Sequence, residues 1–313
     1  MRKNKKKNGI LKERGGIVGR AFMYFFARFL GSWSMHIFAL PSVLYFLTVI
    51  PSTRRNLLNY WSCIFPGKSK LYYLYCIYRQ YYQFGKILFD RIILQSGKDL
   101  KIAGNIEQDN INRRIINNVL DKNKTMLVLC SHIGGYNLYR LLADLIAKPV
   151  NIVMYGGQTR AFTTVDNVNR RNIKYINPDN PMNTVFLAVE SLQNDEIVAI
   201  MGDRFNSDSK HSSIMNINGF KLNMPLGPWY IAHTANAPVV CIFIVKTAAG
   251  YQLIVKEPIL IRQEEENKNE KEENIKQALS IYTGYLTQII RQYPFQWFNF
   301  ANPVIVDSEQ KKE

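Results

Sequence analysis

The sequence contains few of the residues from which metal centres and disulfide frameworks are built. Its 313 residues include four cysteines and four histidines, and no two cysteines form a C-x-x-C pair. A structural zinc site needs closely spaced sets of cysteine or histidine ligands, and a disulfide framework needs cysteines in patterned numbers. We therefore expect reduced, buried thiols in a protein that faces the cytoplasm, with neither a metal ion nor another cofactor.

Acidic residues are also scarce. The chain has 24 aspartates and glutamates against 40 lysines and arginines, which gives a net charge of +16 and a pI of about 9.6. This balance favours an anionic partner, which means nucleic acid, an anionic membrane surface or an acidic protein. No nucleic-acid recognition motif is present, and nucleic-acid binding does not explain an apolar amino terminus. We therefore expect no nucleic-acid partner.

The amino terminus combines a basic tip with a long apolar run. Residues 1–20 carry eight basic residues and one acidic residue, and across the 22 residues 29–50 the only ionisable side chain is His36. A helix of that length crosses a bilayer core of roughly 30 Å. The run is too long for a signal peptide, and no small-residue cleavage site follows it. Residues 21–56 are predicted to form a membrane-spanning anchor or an interfacial helix bent at Pro41, and a buried soluble helix is the third alternative.

A helical, membrane-proximal region is predicted over residues 57–121. Within it, residues 71–95 are aromatic and apolar, but four charged side chains exclude a second membrane span: Arg79, Lys86, Asp90 and Arg91. A helix here either rests on lipid headgroups, with tyrosines at the interface, or packs on the protein core as an ordinary amphipathic helix. The basic flank ahead of the apolar run favours a cytoplasmic amino terminus.

From residue 122 onward, apolar runs of strand length alternate with helical patterns, which is typical of an α/β sheet covered by helices. Strands are predicted at 125–132, 150–155, 196–203, 239–246 and 251–259. Helices are predicted at 137–147, 182–193, 227–237 and the later part of 264–292, and a hairpin at 214–224 turns on Asn218-Gly219. The predicted fold class is α/β, with a mixed sheet flanked by helices, in one domain over 122–304 before a polar tail at 305–313.

The most informative stretch is 131–137, which reads SHIGGYN. It places His132 at the carboxyl end of a buried strand, where the sites of open α/β sheets form. Gly134 and Gly135 allow unusual backbone geometry and the close approach of a ligand. Asn137 starts the next helix and either caps it or faces His132. In the simpler alternative, neither residue has a catalytic role: the histidine only satisfies polar groups at the end of the strand, and the asparagine only caps the helix.

This stretch resembles the first block of the lysophospholipid acyltransferase superfamily, in the branch of the bacterial lipid A secondary (lauroyl/myristoyl) acyltransferases. In that block, a histidine is followed by a carboxylate at the fifth position. Three later segments are similar to further blocks of the branch: an aspartate after an apolar strand in 199–209, a G-P helix leading to a strand in 219–246, and a closing P-x-Q-W-x-x-F in 293–302. The resemblance covers most of the chain, from about Pro41 to Val304. The G-D-R form at 202–204 is similar to the subgroup that acylates lipids of aryl polyene or related pigment pathways.

The resemblance implies a glycerolipid acyltransferase-like fold and an enzyme at the cytoplasmic face of the inner membrane. Such an enzyme moves a fatty acyl chain from acyl carrier protein or acyl-CoA to a lipid or glycolipid acceptor. His132 is then the general base, and the main-chain N–H groups of Gly134 and Gly135 are candidates for stabilising the oxyanion. Arg204 and Gly227 are further candidate substrate contacts, Arg204 for an anionic group.

Asn137 departs from the family pattern because it stands where a carboxylate is expected. Its amide can orient an imidazole but brings no negative charge, and a comparable Asp-to-Asn change in the serine-protease triad lowers the rate by about 10⁴. Asn137 supports a slower or different mechanism, or Asp203 supplies the carboxylate in space. As a third alternative, the chain is a non-catalytic lipid-binding or assembly protein on the same fold.

A second departure lies in residues 154–160. The lipid A enzymes usually place an arginine just after the corresponding tyrosine, but here two glycines follow Tyr155. Arg160 is the nearest cation and is a candidate substrate contact. The glycines either cradle a phosphate or simply form a turn.

Overall fold

The computed structural model describes residues 51–95, 100–103, 106–135, 146, 148–154, 173–204, 211–263, 267–300 and 304–305. Among these residues, three helices come first: α1 (Pro51–Ile64), α2 (Lys70–Gln95) and α3 (Ile106–Asn123). Eight strands follow: β1 (Leu127–Cys130), β2 (Val150–Val153), β3 (Ile173–Ile176), β4 (Ile197–Met201), β5 (Ser212–Ile217), β6 (Phe220–Pro225), β7 (Val239–Lys246) and β8 (Tyr251–Val255). Helices α4 (Pro181–Gln193) and α5 (Gly227–Thr234) lie between strands, and α6 (Lys268–Gln292) leads into a short 3-10 turn at Pro294–Gln296.

Six of these strands form one mixed sheet in the order β3-β2-β4-β1-β7-β8. Neighbours from β3 to β7 run parallel, and β8 pairs antiparallel with β7. Strands β5 and β6 form a separate hairpin. The predicted mixed α/β sheet with flanking helices is therefore confirmed.

The two faces of the sheet bury separate apolar cores. Successive strand residues point to opposite faces, so Leu127 and Leu129 enter one core and Val128 the other. Helices α1, α2, α4, α5 and α6 contribute to the first core, and α3 packs on the second. Strands β1 and β7 are central and are covered on both faces, which explains why their sequences are almost continuously apolar.

No helix within the described ranges has both the length and the apolar character needed to cross a membrane. The apolar run at residues 29–50 lies outside the described residues, so the predicted anchor stays a prediction. Helix α2 packs on the protein core along one side, where Cys76, Ile77 and Tyr81 are buried.

Most elements differ from the sequence prediction by a few residues at their ends, and three differences are larger. Strand β3 was not predicted, because its sequence IKYI contains a lysine and is short. Helix α6 already begins in the charged segment, because the side chain of Asn267 caps it by accepting from the N–H groups of Asn269 and Glu270. Strand β8 ends at Val255, and Ile259 instead bridges to Val239. The predicted helix at 137–147 lies outside the described residues except at Ile146.

The hairpin predicted from Asn218-Gly219 is present, and both residues have positive φ, at 49° and 87°. A turn of this kind favours asparagine followed by glycine.

We predict that Gly219→Ala lowers the free energy of unfolding by about 1 kcal/mol, since an L-residue is strained at positive φ. Gly284→Ala is the matched control: Gly284 lies within α6, a Cβ there meets nothing within 4 Å, and its φ is not positive. It should raise stability by about 0.5–1 kcal/mol. Urea unfolding measures both, and a stabilising Gly219→Ala would contradict the turn geometry.

Candidate active site

The strand order brings the carboxyl ends of β1 and β4 side by side. Cys130 at the end of β1 pairs with Met201 at the end of β4. The N–H of Gly202 donates to the carbonyl of Cys130 at 2.8 Å, which carries the pairing beyond the strands. His132 and Asp203 each follow two residues after these strand ends. Parallel pairing therefore places their side chains against each other.

His132 and Asp203 form a buried pair with two hydrogen bonds. Nδ1 of His132 lies 2.7 Å from Oδ1 of Asp203, and the main-chain N–H of His132 donates to Oδ2 at 3.0 Å. Asp203 is 0% exposed and His132 is 8% exposed. An ionised carboxylate only accepts hydrogen bonds, so Nδ1 carries the proton, and Nε2 is the basic nitrogen of the neutral ring.

Opposing effects set the charges of this pair. Burial lowers the pKa of His132, the carboxylate of Asp203 raises it, and Arg204 lowers it again, so that the pKa lies below the ordinary value of 6.5. For Asp203, burial opposes ionisation, but the nearby His132 and Arg204 and the hydrogen bonds from His132 outweigh it and hold the pKa below 3.8. At neutral pH, the pair therefore consists of a neutral imidazole and a carboxylate, which is the state that a general base requires.

The segment 297–299 completes the surroundings of the pair. Trp297 donates its indole N–H to Oδ2 of Asp203 at 3.0 Å, and the side-chain amide of Asn299 donates to the main-chain carbonyl of Asp203 at 2.6 Å. The N–H of Phe298 donates to the carbonyl of His132 at 2.7 Å. One segment from the end of the chain thus holds both members of the pair.

The glycine turn after His132 packs against β7. Gly134 has a φ of +51°, and a Cβ at this position would lie 2.2 Å from the carbonyl oxygen of Ile244. The N–H of Gly134 donates to the carbonyl of Gln296 at 2.8 Å, and the N–H of Gly135 donates to the carbonyl of Ile244 at 2.7 Å. Both N–H groups are engaged with protein carbonyls, which does not fit the oxyanion role expected from the sequence. The close approach that needs glycine at 134 is the approach of the main chain of β7.

The remaining predicted residues are not all brought to this site. Arg204 lies beside the pair, and its Nη2 donates to the carbonyl of Phe298 at 3.0 Å. Its Nε is buried without a hydrogen-bond partner among the residues that the structure describes. Gly227 begins α5, where a Cβ would meet nothing within 4 Å, and no described hydrogen bond joins it to His132 or Asp203. Asn137 and Arg160 lie outside the described residues, so their expected roles stay predictions.

Sequence reasoning missed Trp297 and Asn299. Both lie in the closing P-x-Q-W-x-x-F stretch, which carried the family resemblance but no expected role in the site. The one feature that could have indicated Trp297 is general to tryptophan: when its side chain is buried, the indole N–H needs a hydrogen-bond partner. Its partner is 94 positions away in the sequence, which no local pattern indicates.

Comparison with known protein families matches residues 18–302 of the 313 to the family described as bacterial lipid A biosynthesis acyltransferase. The matched range contains the whole sheet and both members of the His132–Asp203 pair. A search of curated proteins finds no significant match.

Acid conditions should destabilise the fold through His132. Because the pKa of His132 in the folded chain lies below 6.5, the unfolded chain binds a proton there that the folded chain does not. This contribution to stability is present above about pH 6.5 and is lost as the pH falls through the folded-state pKa. We expect urea unfolding to show a steeper loss of stability from about pH 7 to about pH 5 in the wild type than in His132→Gln.

His211→Gln, at an exposed position, controls for the loss of one imidazole from the chain. Equal slopes for the wild type and His132→Gln would contradict a neutral, buried His132.

Proposed function

The chain belongs to the bacterial lipid A biosynthesis acyltransferase family, and from this premise we propose that it transfers a fatty acyl chain from an acyl thioester to a lipid or glycolipid acceptor. The donor is acyl carrier protein or acyl-CoA, and the acceptor presents a hydroxyl or an amine. The observation that carries the proposal is the buried His132–Asp203 pair, with Nδ1 2.7 Å from Oδ1.

His132 acts as the general base in this proposal. Nε2 takes the proton from the acceptor hydroxyl as its oxygen attacks the thioester carbonyl carbon, a contribution of roughly 10²–10⁴ in rate. The tetrahedral intermediate then collapses, the carbon–sulfur bond breaks, and the proton passes from Nε2 to the leaving thiolate. The products are a free thiol and an ester, or an amide where the acceptor is an amine, and no covalent enzyme intermediate forms.

Asp203 supplies the carboxylate that the family pattern expects at position 137. Its Oδ1 fixes the Nδ1–H tautomer, and its negative charge stabilises the imidazolium that forms during attack. The distance between its Oδ1 and Nδ1 of His132 supports this role. Asn137 is then not needed as a source of charge.

Positive charge has two uses in this proposal. The net charge of +16 favours both an acidic carrier protein and anionic headgroups. Arg204, whose guanidinium lies close enough to affect the pKa of the pair, favours an anionic group of the substrate near the reacting atoms. We place the enzyme at the cytoplasmic face of the inner membrane, held by the apolar run at 29–50.

A second candidate is a non-catalytic lipid-binding or assembly protein on the same fold. The observation that favours it is Asn137 at the position of the family carboxylate. The two candidates differ in one measurable property, which is turnover of an acyl thioester.

We predict that His132→Ala abolishes acyl transfer while the protein stays folded, because the variant lacks the imidazole nitrogen that takes the proton from the acceptor hydroxyl. The measurement uses purified, detergent-solubilised protein with acyl carrier protein and acyl-CoA donors and a total lipid extract, and mass spectrometry identifies the acylated product. Turnover by His132→Ala equal to the wild type would exclude the general-base role. A wild type that binds lipid but turns over no donor would favour the non-catalytic candidate.

Asp203→Asn and Asn137→Asp separate the two possible carboxylate positions. Asp203→Asn removes the charge that holds the imidazolium, so we expect kcat to fall by roughly 10²–10⁴. Asn137→Asp should not increase kcat, because Asp203 already provides the charge. An Asp203→Asn enzyme with wild-type kcat, or a faster Asn137→Asp enzyme, would show that the site uses position 137.

A further inference from the structure

We propose that Trp297 is a positioning residue for the His132–Asp203 pair, and that a buried hydrogen-bond relay through Gln80 and Trp61 ties it to α1 and α2. The inference rests on the proposed function, in which Asp203 orients the general base.

The first link of this relay is the indole N–H of Trp297. It donates to Oδ2 of Asp203 at 3.0 Å, and the same oxygen accepts the main-chain N–H of His132 at 3.0 Å. Oδ1 faces Nδ1 of His132 at 2.7 Å. The two His132 contacts engage one carboxylate oxygen each, and the indole N–H is a third donor, from a separate segment of the chain, that reinforces the same orientation of the carboxylate. The indole therefore helps to point Oδ1 at the imidazole.

The second link joins Trp297 to α2 and α1. Its main-chain carbonyl accepts from the side-chain amide of Gln80 at 2.6 Å, and Oε1 of Gln80 accepts from the indole N–H of Trp61 at 3.0 Å. Gln80 is 1% exposed and Trp61 is 0% exposed. A buried amide is costly unless both of its ends are paired, so the relay strongly favours one arrangement of the two helices and the closing segment.

Aromatic packing fixes the ring that makes the first link. The Trp297 ring lies 5.6 Å from the ring of Phe220 at an interplanar angle of 25°, and 5.2 Å from the ring of Tyr60. The hydroxyl of Tyr60 donates to the carbonyl of Pro294 at 2.8 Å, so α1 also holds the turn that precedes Trp297. The indole has little freedom to turn its N–H away from Asp203.

Trp297→Phe tests the first link because it keeps an aromatic ring and removes the N–H. That N–H stabilises the carboxylate most when the imidazole is neutral, since an imidazolium already compensates the charge. Loss of the N–H therefore favours protonation of His132, and we expect its pKa to rise by about 0.5–1 unit. Asp203 is also held less firmly against the imidazole, and through this loss of orientation we expect kcat to fall by about tenfold at neutral pH with KM little changed.

The matched control is Trp229→Phe. Trp229 is also 0% exposed, but its indole N–H has no hydrogen-bond partner among the described residues. The same substitution there removes no bond to the pair, so we expect a wild-type pKa for His132 and a wild-type pH profile.

The readouts are the acid limb of the pH dependence of kcat and an NMR titration of histidine-labelled full-length protein. The chain has only four histidines, and His132→Gln identifies the signal of His132. Trp297→Phe with an unchanged His132 pKa would overturn the inference, as would the same shift in Trp229→Phe. If the wild type transfers no acyl group, the proposed function fails, but the titration still decides the role of Trp297.

Gln80→Met tests the second link with a side chain of similar size that cannot form the relay. It leaves the main chain of Trp297 without its donor, so we expect a smaller rise of the His132 pKa in the same direction. If Trp297→Phe does not fold, this titration decides the inference, and a wild-type His132 pKa in Gln80→Met would overturn it.

Discussion

The arrangement of this site depends on one fully buried carboxylate. Asp203 has no exposure to solvent, so protein donors must stabilise its charge. The donors are the imidazole and main chain of His132 and the indole of Trp297, and the nearby guanidinium of Arg204 adds a favourable positive charge without a described hydrogen bond to Asp203. Removing any of them leaves a charge that the interior stabilises less well, which ties stability and the proposed chemistry to the same contacts.

The sheet and the closing segment serve this carboxylate in different ways. Adjacent parallel pairing of β1 and β4 sets the distance between the main chains of His132 and Asp203. The segment at 296–299 then crosses both strand ends, bonds to the glycine turn through Gln296, and reaches the pair through Trp297 and Phe298. Gln296 also exchanges two side-chain hydrogen bonds with the main chain of Lys246, so the segment is fixed to β7 as well.

The sequence was sufficient to predict most of the fold and part of the site. Apolar runs marked β1, β4 and β7, and an aspartate directly after such a run marked Asp203 as a possible partner of His132. The sequence could not show that β4 lies beside β1, because the strand order depends on packing between distant segments. It also suggested a ligand-facing role for Gly134, whereas the need for glycine there comes from the carbonyl of Ile244, a contact 110 positions away by sequence number. Strand β3 was missed because a short, partly polar strand has no clear local pattern.

The central proposal is that Asp203 holds His132 as the Nδ1–H tautomer. The most direct measurement is ¹⁵N NMR of histidine-labelled full-length protein at mildly alkaline pH, which distinguishes the two neutral tautomers of an imidazole. We predict a protonated Nδ1 and an unprotonated Nε2 for His132 in the wild type and in Asn137→Ala, with this preference lost in Asp203→Asn. A protonated Nε2 in the wild type, or a tautomer that changes in Asn137→Ala but not in Asp203→Asn, would contradict it.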